Sequence, residues 1–161
     1  MGIEMLIEGS CHCGKASFAV ESKTPYPYRR CYCTLCRKTS SGGGYNIGLM
    51  GESATLEVEG TEHLTRYEVV NSEGITMHQY FCATCGSPMY VLLPDWPQWV
   101  YPRASAVDTP LPEPPEVFHV ILGERAIWAT PEEGAIHFHF ADNTEESMED
   151  WHKRLGQYGI D

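Results

Sequence analysis

Cys82-Ala83-Thr84-Cys85-Gly86 is the stretch from which the fold can be read. Two cysteines separated by two residues and followed by glycine make a metal-binding knuckle. The glycine supplies a tight turn with positive φ, and the turn aims backbone N–H groups at the sulfurs, stabilising metal-bound thiolates. Cys11-His12-Cys13-Gly14 has the same cysteine–glycine ending far earlier in the chain. Pairing the two groups gives four thiolates, enough to close a tetrahedral shell. Cys11, Cys13, Cys82 and Cys85 are therefore predicted to hold a structural zinc that joins two hairpins and leaves no position for substrate.

A third group, Cys31-Tyr32-Cys33-Thr34-Leu35-Cys36, is followed by Arg37 instead of glycine and then by Lys38-Thr39-Ser40-Ser41-Gly42-Gly43-Gly44. The chain has seven cysteines, so Cys31, Cys33 and Cys36 remain with no fourth cysteine available. Three protein ligands and an open position for water or substrate is the catalytic zinc pattern. The expectation is two zinc ions per chain, one structural and one labile and catalytic. A histidine closing the second shell is the alternative, and His12, His63, His78, His119, His137, His139 and His152 are its candidates; none lies at a short knuckle spacing from the triplet. Packing as small buried hydrophobes suits three thiols in so polar a stretch poorly. Redox use would require a disulfide between two of them in an oxidised, metal-free sample.

With 161 residues, 42% hydrophobic and 20% charged, the chain reads as one globular domain over residues 1–161. Its formal charge of −11 disfavours nucleic acid and anionic lipid as partners. Arg29, Arg30, Arg37 and Lys38 nevertheless flank the triplet, a local positive field that favours thiolate and suits an anionic ligand. No segment approaches the roughly 20 apolar residues of a membrane span, and the first residues carry no basic leader followed by an apolar run. A cytoplasmic protein is expected, where an odd number of cysteines does not make a disulfide framework.

Most of the chain reads as short β runs punctuated by Gly, Pro, Asn and Asp. Strands are predicted at Ile3–Ile7, Lys15–Val20, Tyr45–Leu49, Thr55–Glu59, Thr65–Val70, Thr76–Phe81, Met89–Leu93, Trp99–Val107, Val117–Leu122 and Ile136–Phe140. Alternation in Ala16–Val20 and Thr55–Glu59 points to mostly antiparallel sheets with one wet face. Thr109-Pro110-Leu111-Pro112-Glu113-Pro114-Pro115 reads as a rigid extended loop. Ser147, three residues before Asp150, begins a short C-terminal helix that puts Met148, Trp151 and Leu155 on one face.

Gly9-Ser10-Cys11-His12-Cys13-Gly14, Cys31-x-Cys33-x-x-Cys36 and Phe81-Cys82-x-x-Cys85-Gly86-Ser87-Pro88 together resemble the glutathione-dependent formaldehyde-activating enzyme family, also called the centromere protein V family. The resemblance runs from about Gly9 to Trp128, with His119 and Trp128 in weaker support. It implies a mainly β, Mss4-like fold of coiled antiparallel sheets, a structural zinc on the two knuckles and a labile zinc on the triplet. It also implies carbon–sulfur lyase activity: reversible condensation of formaldehyde with glutathione to S-hydroxymethylglutathione.

Forming a hemithioacetal requires a general acid–base for the carbonyl oxygen. His119 is the first candidate and His78 the second, each also readable as a strand histidine with a satisfied hydrogen bond. Arg37, Lys38 and Arg103 are candidates for pairing with glutathione carboxylates, and Ser40 through Gly44 for a substrate rim. Trp96 and Trp99 would wall a pocket or pack over the sheet end. The competing reading is a non-catalytic, zinc-stabilised binding or metal-sensing module, which a fourth protein ligand on the triplet would favour.

Overall fold

A computed structural model describes residues 4–40 and 42–159. Ile3 of the first predicted strand and Ser41 of the predicted rim lie outside the described residues. In chain order the elements are β1 (Met5–Ser10), β2 (Ser17–Ser22), β3 (Arg29–Cys31), α1 (Thr34–Ser40), β4 (Asn46–Ile47), β5 (Gly51–Glu52) and β6 (Glu57–Glu59). There follow β7 (Leu64–Val70), β8 (Thr76–Cys82), β9 (Pro88–Leu92), β10 (Trp99–Pro102), β11 (Val117–Val120), β12 (His137–His139) and α2 (Met148–Arg154). The chain is mainly β with several antiparallel sheets, as its punctuated short runs predict. No helix among the described residues is long and apolar enough to cross a membrane.

The strands form three sheets, ordered β1-β2-β6, β5-β10-β9-β8-β7 and β12-β11-β3-β4. The first two are antiparallel throughout. In the third, β3 and β4 are antiparallel but β11 runs parallel to both β12 and β3, two exceptions within the mostly antiparallel arrangement expected. Distant segments build that sheet, and no local hairpin sets its direction. The predicted alternation holds in β2, where Phe18 and Val20 are buried and Ala19 is half-buried. Ile7, Phe18, Val20, Leu49, Met89 and Val100 form one core between the first two sheets.

Several predicted strands end early for local reasons. β10 stops at Pro102, which lacks an N–H for the ladder, and a 3₁₀ turn over Ala104–Ala106 follows. β11 stops at Val120 because Ile121 takes left-handed φ (56°) into another 3₁₀ turn. Only Asn46 and Ile47 of Tyr45–Leu49 are paired as a strand.

The predicted C-terminal helix is present as α2, and Ser147 Oγ accepts the N–H of Asp150 at 3.0 Å, the expected cap. Trp151 and its neighbours Tyr26, Tyr28, Phe118 and Val120 make a second core between α2 and the third sheet. His152 is fully buried there. Its Nδ1–H donates to Met148 O at 2.6 Å, and its Nε2 accepts the N–H of Tyr26 at 3.3 Å. Both nitrogens are thus committed to the neutral ring, and protonating Nε2 would set it against another donor. Burial pulls its pKa from 6.5 down to about 4, against the opposing bond to Met148. The unfolded imidazole takes a proton below about 6.5 while the folded one does not until about 4, so acid stabilises the unfolded chain within that window. Chemical denaturation between pH 7 and pH 4 should show stability falling with pH, and falling less steeply in His152→Gln. Parallel profiles for the two proteins would remove His152 from the account.

Candidate metal centres and the adjoining cleft

The two knuckles meet as their spacing predicts. Cys11 follows β1 and Cys82 ends β8; Gly14 and Gly86 both take φ of +80°, the left-handed turn that favours glycine. Gly14 N donates to Cys11 O at 3.0 Å and Gly86 N to Cys82 O at 2.8 Å, closing two similar turns. The N–H of Ala16 points at Cys11 Sγ (3.3 Å). Ser87 ties the knuckles together, accepting the N–H of His12 at 3.0 Å while its hydroxyl lies 3.3 Å from Cys85 Sγ. The hydroxyl and backbone of Ser87 hold the Cys85 thiol down at about 5.

Cys11 and Cys13 sulfurs are 3.5 Å apart, Cys13 and Cys82 are 3.7 Å apart, and all four lie within 4.8 Å of one another. Sulfurs bound ~2.3 Å from a tetrahedral ion are ~3.8 Å apart, so this donor set fits one. Four protein ligands would complete its shell.

The triplet is assembled differently. Cys31 is the last residue of β3, held between β4 and β11; Cys33 sits in the turn; Cys36 lies in α1. Sequence reading missed this helix, which is only seven residues long and begins within the cysteine turn. Cys36 N points at Cys33 Sγ (3.3 Å), and Arg37 N donates to Cys33 O at 2.9 Å. The neighbouring thiols of Cys31 and Cys36, then the N–H groups of Cys36 and Leu35, hold the Cys33 thiol far below the ordinary range. The three sulfurs lie within 4.8 Å of one another, and among the described residues no fourth His, Cys, Asp or Glu joins them. They face a cleft of about 190 Å³. Its walls are apolar at Leu35, Met77 and Val91 and polar at Arg29, Asn46, Glu73 and Arg103.

The predicted site residues divide around this cleft. Arg103 lines it, 5% exposed, together with the three cysteines. Arg37, Lys38 and Ser40 end α1 and do not line it; Lys38 faces a separate groove on the outer side of α1, shared with Cys33 and Tyr67. His78 pairs with Glu68 at 2.7 Å across β7 and β8, the satisfied strand histidine. Trp96 is exposed, and neither it nor Trp99 lines the cleft.

His119 is fully buried and also does not line the cleft. It pairs in register with Arg30, while its neighbour Val120 pairs with Cys31, so strand alternation turns His119 to the opposite sheet face. There its Nδ1 lies 2.8 Å from the Tyr32 hydroxyl and its Nε2 2.9 Å from His137 Nδ1. His137 Nε2 faces Glu132 at 3.5 Å, and Arg30 holds Glu132 at 2.8 Å. A carboxylate at the end of the row requires each donor to point toward it: Tyr32 O–H to His119, His119 to His137, His137 to Glu132. Burial first, then Arg30, lowers the His119 pKa to about 4 and keeps the ring neutral.

Sequence reading missed Asn46, Glu73 and Asn143 as cleft residues. They reach it from β4, the β7–β8 turn and the loop before α2, and nothing local to them signals the cysteines.

Comparison with known proteins agrees with the geometry. Residues 6–122 match the family described as glutathione-dependent formaldehyde-activating enzyme. The match includes all seven cysteines and His119 and stops short of Trp128. A Halomonas elongata protein, named provisionally as a glutathione-dependent formaldehyde-activating enzyme, is 46% identical over 154 residues, 94% of this chain and 98% of its own. The crystal structure of a Rhodobacter sphaeroides protein, 26% identical, matches with a TM-score of 0.52 over 65% of this chain and 91% of that one. This chain belongs to the glutathione-dependent formaldehyde-activating enzyme family.

Proposed function

We propose that the chain is a zinc-dependent carbon–sulfur lyase that forms and cleaves a thiol–aldehyde adduct of the S-hydroxymethylglutathione type at Cys31, Cys33 and Cys36. Cys11, Cys13, Cys82 and Cys85 hold a second, structural zinc in this reading. One observation carries it: the four-sulfur group is complete in itself, whereas the three-sulfur group opens on a cleft. Zinc bound by the triplet supplies Lewis acidity and a coordination position for a substrate atom.

The protein's own residues do the rest. In the forward direction the substrate sulfur bonds to the aldehyde carbon, the thiol proton leaves, and the carbonyl oxygen gains a proton; the reverse returns both. The apolar wall of Leu35, Met77 and Val91 limits water around the reacting atoms. Glu73 is the carboxylate on the cleft wall and is assigned the proton transfer first expected of His119. Asn143 donates to it at 2.8 Å and itself accepts from Arg29, which fixes the carboxylate's place. His119 becomes a positioning residue, since its bond to Tyr32 anchors the residue between Cys31 and Cys33.

The test uses purified chain, its zinc content measured by atomic absorption, and carbon-13 exchange between formaldehyde and its glutathione adduct. Two zinc per chain and exchange faster than the uncatalysed background are expected, with Glu73→Gln slowing exchange by about 10²–10⁴-fold. Background exchange in a chain carrying both ions would overturn the enzyme reading and leave the binding or sensing module.

A further inference from the structure

Arg103 has a second exposure that the reaction does not use. Besides the sulfur cleft, it lines a separate pocket of about 200 Å³ with Thr39, Tyr67, Gln79, Tyr80 and Tyr90. In a chain with twice as many acidic as basic residues (22 against 11), no carboxylate among the described residues lines this pocket. The carboxylate-paired arginines among the described residues are Arg30 and Arg154, and Arg103 is not one of them. A guanidinium carries five N–H donors in a planar fork, and Arg103 shares the sulfur cleft with Cys31, Cys33 and Cys36 while also lining the second pocket. The thiolates of the triplet offset its charge, and a planar fork that borders two pockets has donors for an acceptor on the second side as well.

Gln79 supplies an independent observation. It is 6% exposed in the middle of β8, and its Nε2 is buried with no hydrogen-bond partner among the described residues. An orphaned amide donor and a guanidinium without a carboxylate partner thus line one small pocket, with Thr39, Tyr67, Tyr80 and Tyr90 beside them. Both residues are held by the backbone: Arg103 N donates to Met89 O at 2.9 Å, and Gln79 lies in register between Tyr67 and Val91.

We propose that the Arg103–Gln79 pocket is a binding site for a small carboxylate, whose two oxygens take the guanidinium fork and the Gln79 amide. The site does not depend on the reaction assigned to the sulfur cleft, because the donors are in place whatever reacts beside Cys36. It gives Arg103 two roles, facing the thiolates on one side and the carboxylate on the other. The carboxylate arrives free or as part of a thiol ligand.

The test is nuclear magnetic resonance on the metal-loaded chain, following the Arg103 side-chain Nε–H, which the Gln79 variants retain, while sodium propionate replaces sodium chloride at constant ionic strength. A saturable shift with millimolar half-saturation is expected. It should weaken about tenfold in Gln79→Met, as the loss of one hydrogen bond to a charged group predicts, and vanish in Gln79→Glu. A shift that never saturates overturns the site, as does one unchanged in Gln79→Met. Sulfate binding more tightly than propionate overturns the planar carboxylate. The same titration with 3-mercaptopropionate separates the sources: tighter binding than propionate assigns a thiol-borne carboxylate, equal binding a free one, and both support the pocket. The wild-type titration decides the proposal even if a variant fails to fold.

Discussion

Cys82→Ser is expected to yield a chain that does not hold its fold, while Cys33→Ser folds normally and loses activity. Cys82 is fully buried in the core between the first two sheets, and its sulfur draws the end of β8 to the turn after β1. Those segments are remote in sequence, so the cross-link closes a long loop that the unfolded chain must otherwise pay for in entropy. Structural zinc contributes about 10–16 kcal/mol to the folding of small metal domains. That matches or exceeds the roughly 5–15 kcal/mol by which whole domains are stable. Serine cannot supply a thiolate, so losing one of four ligands removes the greater part of that term.

Cys33 stands in another situation. It lies in the turn between β3 and α1 and belongs to neither main core. Its sheet is held by β11 pairing and by the packing of α2, neither of which needs the metal. Activity should fall by more than the roughly 10–100-fold typical of losing an outer-shell partner, because a ligand itself is gone. Circular-dichroism melting with zinc analysis checks both halves: Cys33→Ser should retain one zinc and a near-native midpoint. Equal loss of thermal stability in the two variants would end the division of labour between the sites.

The grouping of the seven cysteines into four and three is legible in the sequence because thiolate chemistry is local. A glycine after Cys13 and after Cys85 marks a knuckle, and Gly14 and Gly86 take the φ that the knuckle demands. The same holds for the C-terminal helix, whose cap and apolar face fall within a few residues of each other. What could not be read was direction within the sheet. His119 was placed beside the triplet by resemblance, yet its face depends on the β3–β11 register, which pairs segments far apart in sequence. The cleft wall fails for the same reason, since Glu73 and Asn143 come from separate loops. Arg37 and Lys38 adjoin the cysteines in sequence, but α1 turns them away from the cleft that its own Cys36 faces.

Trp151→Ala is expected to cost about 3–5 kcal/mol, the range for deleting a large buried aromatic side chain. Trp151 is fully buried and stacks on Tyr28 with ring centres 3.8 Å apart and planes within 7°. Tyr28 in turn meets Phe118 edge-on, so one aromatic column runs from α2 into β11. At about 2–4 °C per kcal/mol for a chain of this size, the melting midpoint should fall by roughly 10 °C. Trp151→Phe should cost much less, for a reason specific to this site. The indole Nε1 is buried with no partner among the described residues, so Phe keeps a ring against Tyr28 and removes an unpaired donor. The two substitutions therefore separate packing from polarity. They also connect the helix to the metal: Tyr28 leads directly into β3, which ends at Cys31. Loosening that column should speed chelator removal of zinc from the triplet while leaving the four-sulfur site as slow as in the wild type. Equal acceleration at both sites would mean that Trp151 supports the whole fold and not the sheet that carries Cys31.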